Sequence, residues 1–168
     1  EMEPMNSYTE NGFTVINSSM RKGTDSLNST GANYVKTLSE QLESRPGITE
    51  RRIMYRDLKD LNFIDEGFAD MTPEEMARKL NSIANGTTIL GDNAFSSSSP
   101  VSGGGFGPIT EVCSVAPGTK GVYIGEFSAR GGNGTEMEYL LQAGTGNHKI
   151  LLGSEVFDGR LYIYTLIP

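Results

Sequence analysis

Apolar residues along the chain change their spacing at about its midpoint. In the first half they recur every three or four residues, the spacing of a helix with one buried stripe. Phe13, Ile16 and Met20 predict a short helix over 11–23, closed by Gly23. Tyr34, Leu38 and Leu42 form one stripe of a second helix within 28–45, and Pro46-Gly47 ends it. Thr72-Pro-Glu-Glu75 reads as a helix start: Thr72 caps, Pro73 fits the first turn and Glu75 completes a capping box. Met76, Leu80, Ile83 and Ala84 supply that helix's apolar face, and Asn85-Gly86 stops it. Between these helices, residues 51–56 read as a short strand with Ile53 and Tyr55 on one face and Arg52, Met54 and Arg56 on the other.

From Thr87 onward short β-branched and apolar segments alternate with clusters of Gly, Pro, Asn and Ser. They predict strands at 88–90, 94–98, 109–115, 121–127, 138–141, 149–156 and 160–167, with Asp158-Gly159 as a hairpin turn between the last two. Helices first and strands afterwards predict an α+β fold with a mainly antiparallel two-sheet core, not an alternating α/β fold. The Ser- and Gly-rich run 96–108 has linker composition, but strand sequence flanks it on both sides. Splitting the β half would leave each part too small to be stable, so an ordered or ligand-ordered loop is expected.

The length of 168 residues predicts a single domain, 1–168. The chain opens on Glu1 and reads as part of a longer protein. A net charge of −7 argues against a nucleic-acid binder, and no apolar run is long enough to span a bilayer. Cys113 is the only cysteine and reads as core; His148 is the only histidine and reads as structural or superficial. No metal site is therefore expected. The sequence carries no Rossmann fingerprint, P-loop or nucleophile elbow.

Three features remain: Arg56 closing a strand, a serine run after Phe95, and Glu136-Met-Glu138 between the Gly-rich turn 131–134 and an apolar strand. Residues two apart in a strand face one side, so Glu136 and Glu138 can address one bound molecule. Arg56 on its own is either a solvated charge or an anion ligand. In order along the chain, Tyr55-Arg56, Phe95-Ser-Ser-Ser-Ser99 and Glu136-Met-Glu-Tyr-Leu-Leu-Gln-Ala-Gly144 resemble the motifs of the mono-ADP-ribosyltransferase toxins of the Arg–Ser–Glu class. The opening segment 8–23 and Pro117-Gly-Thr-Lys-Gly-Val-Tyr-Ile124 are similar to that family as well.

The resemblance implies that NAD is the substrate and that ADP-ribose passes to a protein side chain. It implies that Glu138 stabilises the developing oxocarbenium ion, that Ser97 holds Glu138, and that Arg56 binds the NAD phosphates. Asp57, Asn17, Arg21 and Phe106 are implied as further cofactor contacts, and residues 127–135 as the loop that meets the protein substrate. Glutamate at position 136 resembles the arginine-directed members, of which many act on actin; glutamine there resembles those that modify asparagine. The implied setting is a secreted toxin chain working in host cytoplasm, with no membrane or nucleic-acid partner for this domain. A phage-encoded transferase, an NAD glycohydrolase and a catalytically silent binding module are the alternatives. Two positions depart from the pattern: Ser98 replaces a common threonine, and Gly107 precedes Pro108 where an arginine is frequent.

Overall fold

The structure is a computed structural model that describes residues 20, 29–62, 64–91, 96–98, 107–123, 139–142 and 144–168. Helix α1 spans Ser29–Glu43 and α2 spans Pro73–Ile83. The strands are β1 (Arg52–Leu58), β2 (Ser96–Ser98), β3 (Ile109–Val115), β4 (Gly121–Tyr123), β5 (Tyr139–Leu141), β6 (Ile150–Phe157) and β7 (Arg160–Ile167). Of the expected first helix only Met20 is described, helical and buried; the rest lies outside the described residues.

Two sheets form, ordered β1-β3-β7-β6 and β2-β5-β4. Every pairing is antiparallel except β3 with β7, which run parallel. The chain leaves the first sheet after β3, builds β4 and β5 into the second, and returns to lay β7 beside β3. The fold is thus α+β and mainly antiparallel. Residues 88–90, expected as a strand, instead make an isolated bridge between Ile89 and Ile150.

Local chemistry explains the ends of α2. Thr72 Oγ1 accepts from the Glu75 amide, and the Glu75 carboxylate accepts from the Thr72 amide, satisfying N-terminal donors that lack helical partners. Ala77 and Leu80 are buried on its inner face, while Ile83 is 40% exposed, contrary to the expected stripe. Asn81 ties the helix to β6: its Oδ1 accepts from the Ser154 amide at 2.8 Å and its Nδ2 donates to the Ser154 carbonyl at 3.1 Å. α1 is fixed at its far end, where Lys120 Nζ donates to the Glu43 and Arg45 carbonyls.

The inner face of the four-stranded sheet carries two apolar clusters. Leu58, Leu61, Phe68, Leu80, Ile109, Leu151, Leu161 and Ile163 belong to the first, beneath α2. Ile48, Met54, Cys113, Val115, Leu141 and Ile167 make the second, against the smaller sheet. Cys113 is a buried free thiol, raised from its ordinary pKa by burial and by the Glu111 charge. Leu80 is wholly buried in the first cluster. Replacing it with alanine should cost about 2–5 kcal/mol, the range for cavities that relax only in part, measured as a lower urea midpoint at unchanged slope.

Candidate active site

Arg56 stands on β1 between Met54 and Leu58, and alternation puts all three on the buried face. In register it faces Glu111 of β3. Glu111 is 4% exposed, sits in step with Ile109 and Cys113, and falls between the two apolar clusters. Such a carboxylate must be paired and hydrogen-bonded. Lys149, which directly precedes β6, places Nζ 2.9 Å from Oε2 and 3.2 Å from Oε1. Thr165 Oγ1 donates to Oε2 at 2.7 Å. Burial alone would push this carboxyl up in pKa. The Lys149 and Arg56 charges, with the hydrogen bonds from Thr165 and Lys149, outweigh it and hold the group below its ordinary value.

Asp57 takes the opposite face from Arg56, since successive strand residues alternate. Arg160 Nη2 donates to Asp57 Oδ1 at 3.0 Å, Arg160 Nε donates to Thr110 Oγ1 at 2.7 Å, and Thr110 Oγ1 donates to Asp57 Oδ1 at 3.0 Å. Asp57, expected as a further cofactor contact, takes part in this outer-face network, where its carboxylate braces β1 to β3 and β7.

β1 is the edge of the larger sheet and β2 the edge of the smaller, and the two come within 8 Å, Cα to Cα. β2 pairs with β5, setting Ser97 opposite Leu140 and Ser98 opposite Tyr139, the residue that follows Glu138 in sequence. The described backbone thus brings the Arg56 strand, the serine strand and the strand entered from Glu138 side by side. Glu136, Glu138, Asn17, Arg21, Phe106 and the loop 127–135 lie outside the described residues.

Gly107, read from sequence as a missing arginine, has a steric reason. A Cβ there would collide with the backbone carbonyl of Leu58 at the end of β1. No side chain fits without moving the strand that carries Arg56. Elsewhere, a cleft of 690 Å³ is lined by Glu43, Lys120, Gln142, Asn147 and His148, and neither Arg56 nor Ser97 is among its described lining residues. His148 is exposed, and no cluster suited to a metal ion occurs among the described residues. Nor is any helix among them long and apolar enough to cross a membrane.

Folding lowers the Glu111 pKa, so the unfolded chain takes up this proton more readily, and the associated stability is present at neutral pH and lost as pH falls below the ordinary value of 4.5. Thermal midpoints of the wild type and of Glu111→Gln/Lys149→Met, followed from pH 7 to 3, should show the wild type losing ground relative to the double variant below that value.

No curated protein matches the sequence. Among solved structures, the fold is similar to Plx2a, an ADP-ribosyltransferase toxin from Paenibacillus larvae, at 18% identity and a TM-score of 0.83 over 99% of this chain and 84% of that one. It is similar to the C3 exoenzyme of Clostridium limosum at 19% identity and a TM-score of 0.83, covering 99% and 83%. C3stau2 from S. aureus, solved with NAD, gives 22% identity and a TM-score of 0.77, covering 98% and 85%. NAD is the family's substrate. Residues 1–150 match the family model described as ADP-ribosyltransferase exoenzyme, and the chain belongs to that family.

Proposed function

We propose that the protein moves ADP-ribose from NAD to an arginine side chain of a host protein, with actin the first candidate, as the catalytic part of a secreted toxin. The observation that carries this reading is the convergence of three strands: the edge strand bearing Arg56 lies beside the serine strand, which pairs with the strand led by Glu136-Met-Glu138.

In this reading Arg56 presents its guanidinium to the pyrophosphate, for which its planar fork is suited. The bond between nicotinamide and ribose breaks with its electron pair passing to nicotinamide, which departs neutral. No strong general acid is needed, in keeping with a chain that holds a single histidine. Positive charge develops on the ribosyl ring, and Glu138 stabilises it while accepting a hydrogen bond from a ribose hydroxyl. Ser97 orients Glu138. Asn17, Arg21 and Phe106 complete the cofactor contacts, while Asp57 serves through the outer-face brace on β1.

Glu136 governs the acceptor. An arginine stays protonated at neutral pH; a facing carboxylate pairs with it, aims it, and takes a proton as the new bond to ribose forms. An asparagine acceptor is neutral and gains nothing from that charge. Glutamate at position 136 therefore favours arginine, although the similar folds include C3 exoenzymes.

Two variants separate the roles. Glu138→Gln should reduce both nicotinamide release and protein labelling by about 100-fold or more, the scale of removing one charge-stabilising group. Glu136→Gln should abolish labelling of arginine while leaving most nicotinamide release. Radiolabelled NAD with host lysate reads both activities, and equal loss of the two in Glu136→Gln would refute the division.

A further inference from the structure

We propose that Gln142 is a positioning residue for Glu138: its side-chain amide ties β5 to the last turn of α1 and so fixes the register of the strand that the acid leads. The inference rests on the reading of Glu138 as the group acting at the NAD ribose.

β5 is short. Tyr139–Leu141 meets β2 and β4 through three residue pairs each. Its apolar pattern does not select one register. Leu140 and Leu141 are both buried, at 0% and 2% exposure, although successive strand residues point to opposite faces. A slip by one residue would set one leucine where the other had been. Glu138, which directly precedes the strand, would change faces with it.

A polar contact at the other end of the strand separates the two registers. Gln142 Nε2 donates to the Ser39 carbonyl at 2.9 Å and to Glu43 Oε1 at 3.4 Å, both on α1. The Gln142 amide donates to the Lys120 carbonyl at 2.9 Å, extending the β4–β5 ladder by one residue. Lys120 Nζ in turn donates to the carbonyls of Glu43 and Arg45 at 3.2 and 2.9 Å. The last carbonyls of a helix lack intrahelical donors, and Lys120 supplies one there. α1 is itself held, since Leu38 and Leu42 are wholly buried. In a slipped register this place would fall to Leu141 or Ala143, neither of which carries a side-chain donor. Gln142 follows Glu138 by four residues, roughly 13 Å of extended chain. It therefore acts on the acid through the strand and not by touching the same substrate.

The test is steady-state nicotinamide release, with kcat expressed per NAD-binding site counted by calorimetric titration. Gln142→Leu removes both side-chain donors at similar volume. It should lower kcat by about tenfold, within the scale of a small misplacement of a catalytic group, and leave KM for NAD little changed. Gln142→Lys, whose ammonium can reach the same acceptors, should recover most of the rate. Asn81→Ala, which cuts the tie between α2 and β6 instead, should leave kcat per site at the wild-type value. An unchanged kcat in folded Gln142→Leu, a loss that lysine does not recover, or an equal loss in Asn81→Ala would overturn the proposal. In a Glu138→Gln background Gln142→Leu should add little, and a full further loss there would contradict action through Glu138. Should Glu138→Gln release nicotinamide at the wild-type rate, the reading of Glu138 fails first and this inference goes with it. If Gln142→Leu does not fold, Gln142→Asn decides, because it keeps the amide but falls one methylene short. A severalfold lower kcat then supports positioning, and an unchanged one refutes it.

Discussion

A carboxylate in the interior is the constraint around which the larger sheet is arranged. Glu111 cannot sit between two apolar clusters unless a cation and a donor reach it; β7, parallel to β3, supplies Thr165, and the turn before β6 brings Lys149 inward. The same requirement fixes β1 in register, because only with Arg56 opposite Glu111 do Met54 and Leu58 fall into the second and first clusters respectively. A slip of one residue would turn Arg56 to the outer face and bring Asp57 inward beside Glu111, setting two acids together. The outer face resists the slip as well, through Asp57, Thr110 and Arg160.

Electrostatics of this kind suits the cleavage of a bond whose leaving group departs without protonation. The demands are a fixed cation for the pyrophosphate and a fixed anion near the ribose as positive charge grows there. Arg56 stands on a strand whose register with β3 is fixed, and strands hold side chains more closely than loops do. The Glu111 cluster and the Asp57 brace lie on opposite faces of β1, the strand that β2 approaches. Gly107 continues the logic, since any side chain at that position would press on the last residue of β1.

Much of this was legible in the residues. Capping chemistry located α2, the strands at 109–115 and 160–167 matched their β-branched and apolar runs, and the order of helices and strands gave the α+β class. What alternation does not reveal is pairing. Arg52, Met54 and Arg56 could be assigned one face from sequence, but which face is buried depends on a partner strand more than fifty residues away. Glu111 went unremarked for that reason, although its place in step with Ile109 and Cys113 on an otherwise apolar face was a signal. Ile83 was misread: at the last position of α2 it is exposed, while Ala77 and Leu80 carry the buried face. Residues 88–90 have strand composition, but only Ile89 finds a bridge partner.

The central claim is that a guanidinium, a serine hydroxyl and a carboxylate from three separate strands grip one dinucleotide. A crystal structure of the protein with NAD tests it directly. The account predicts the pyrophosphate within hydrogen-bond distance of Arg56 and the nicotinamide ribose within reach of Glu138, with Ser97 beside that acid. NAD bound with its pyrophosphate remote from Arg56, or with Glu138 directed away from the ribose, would contradict it.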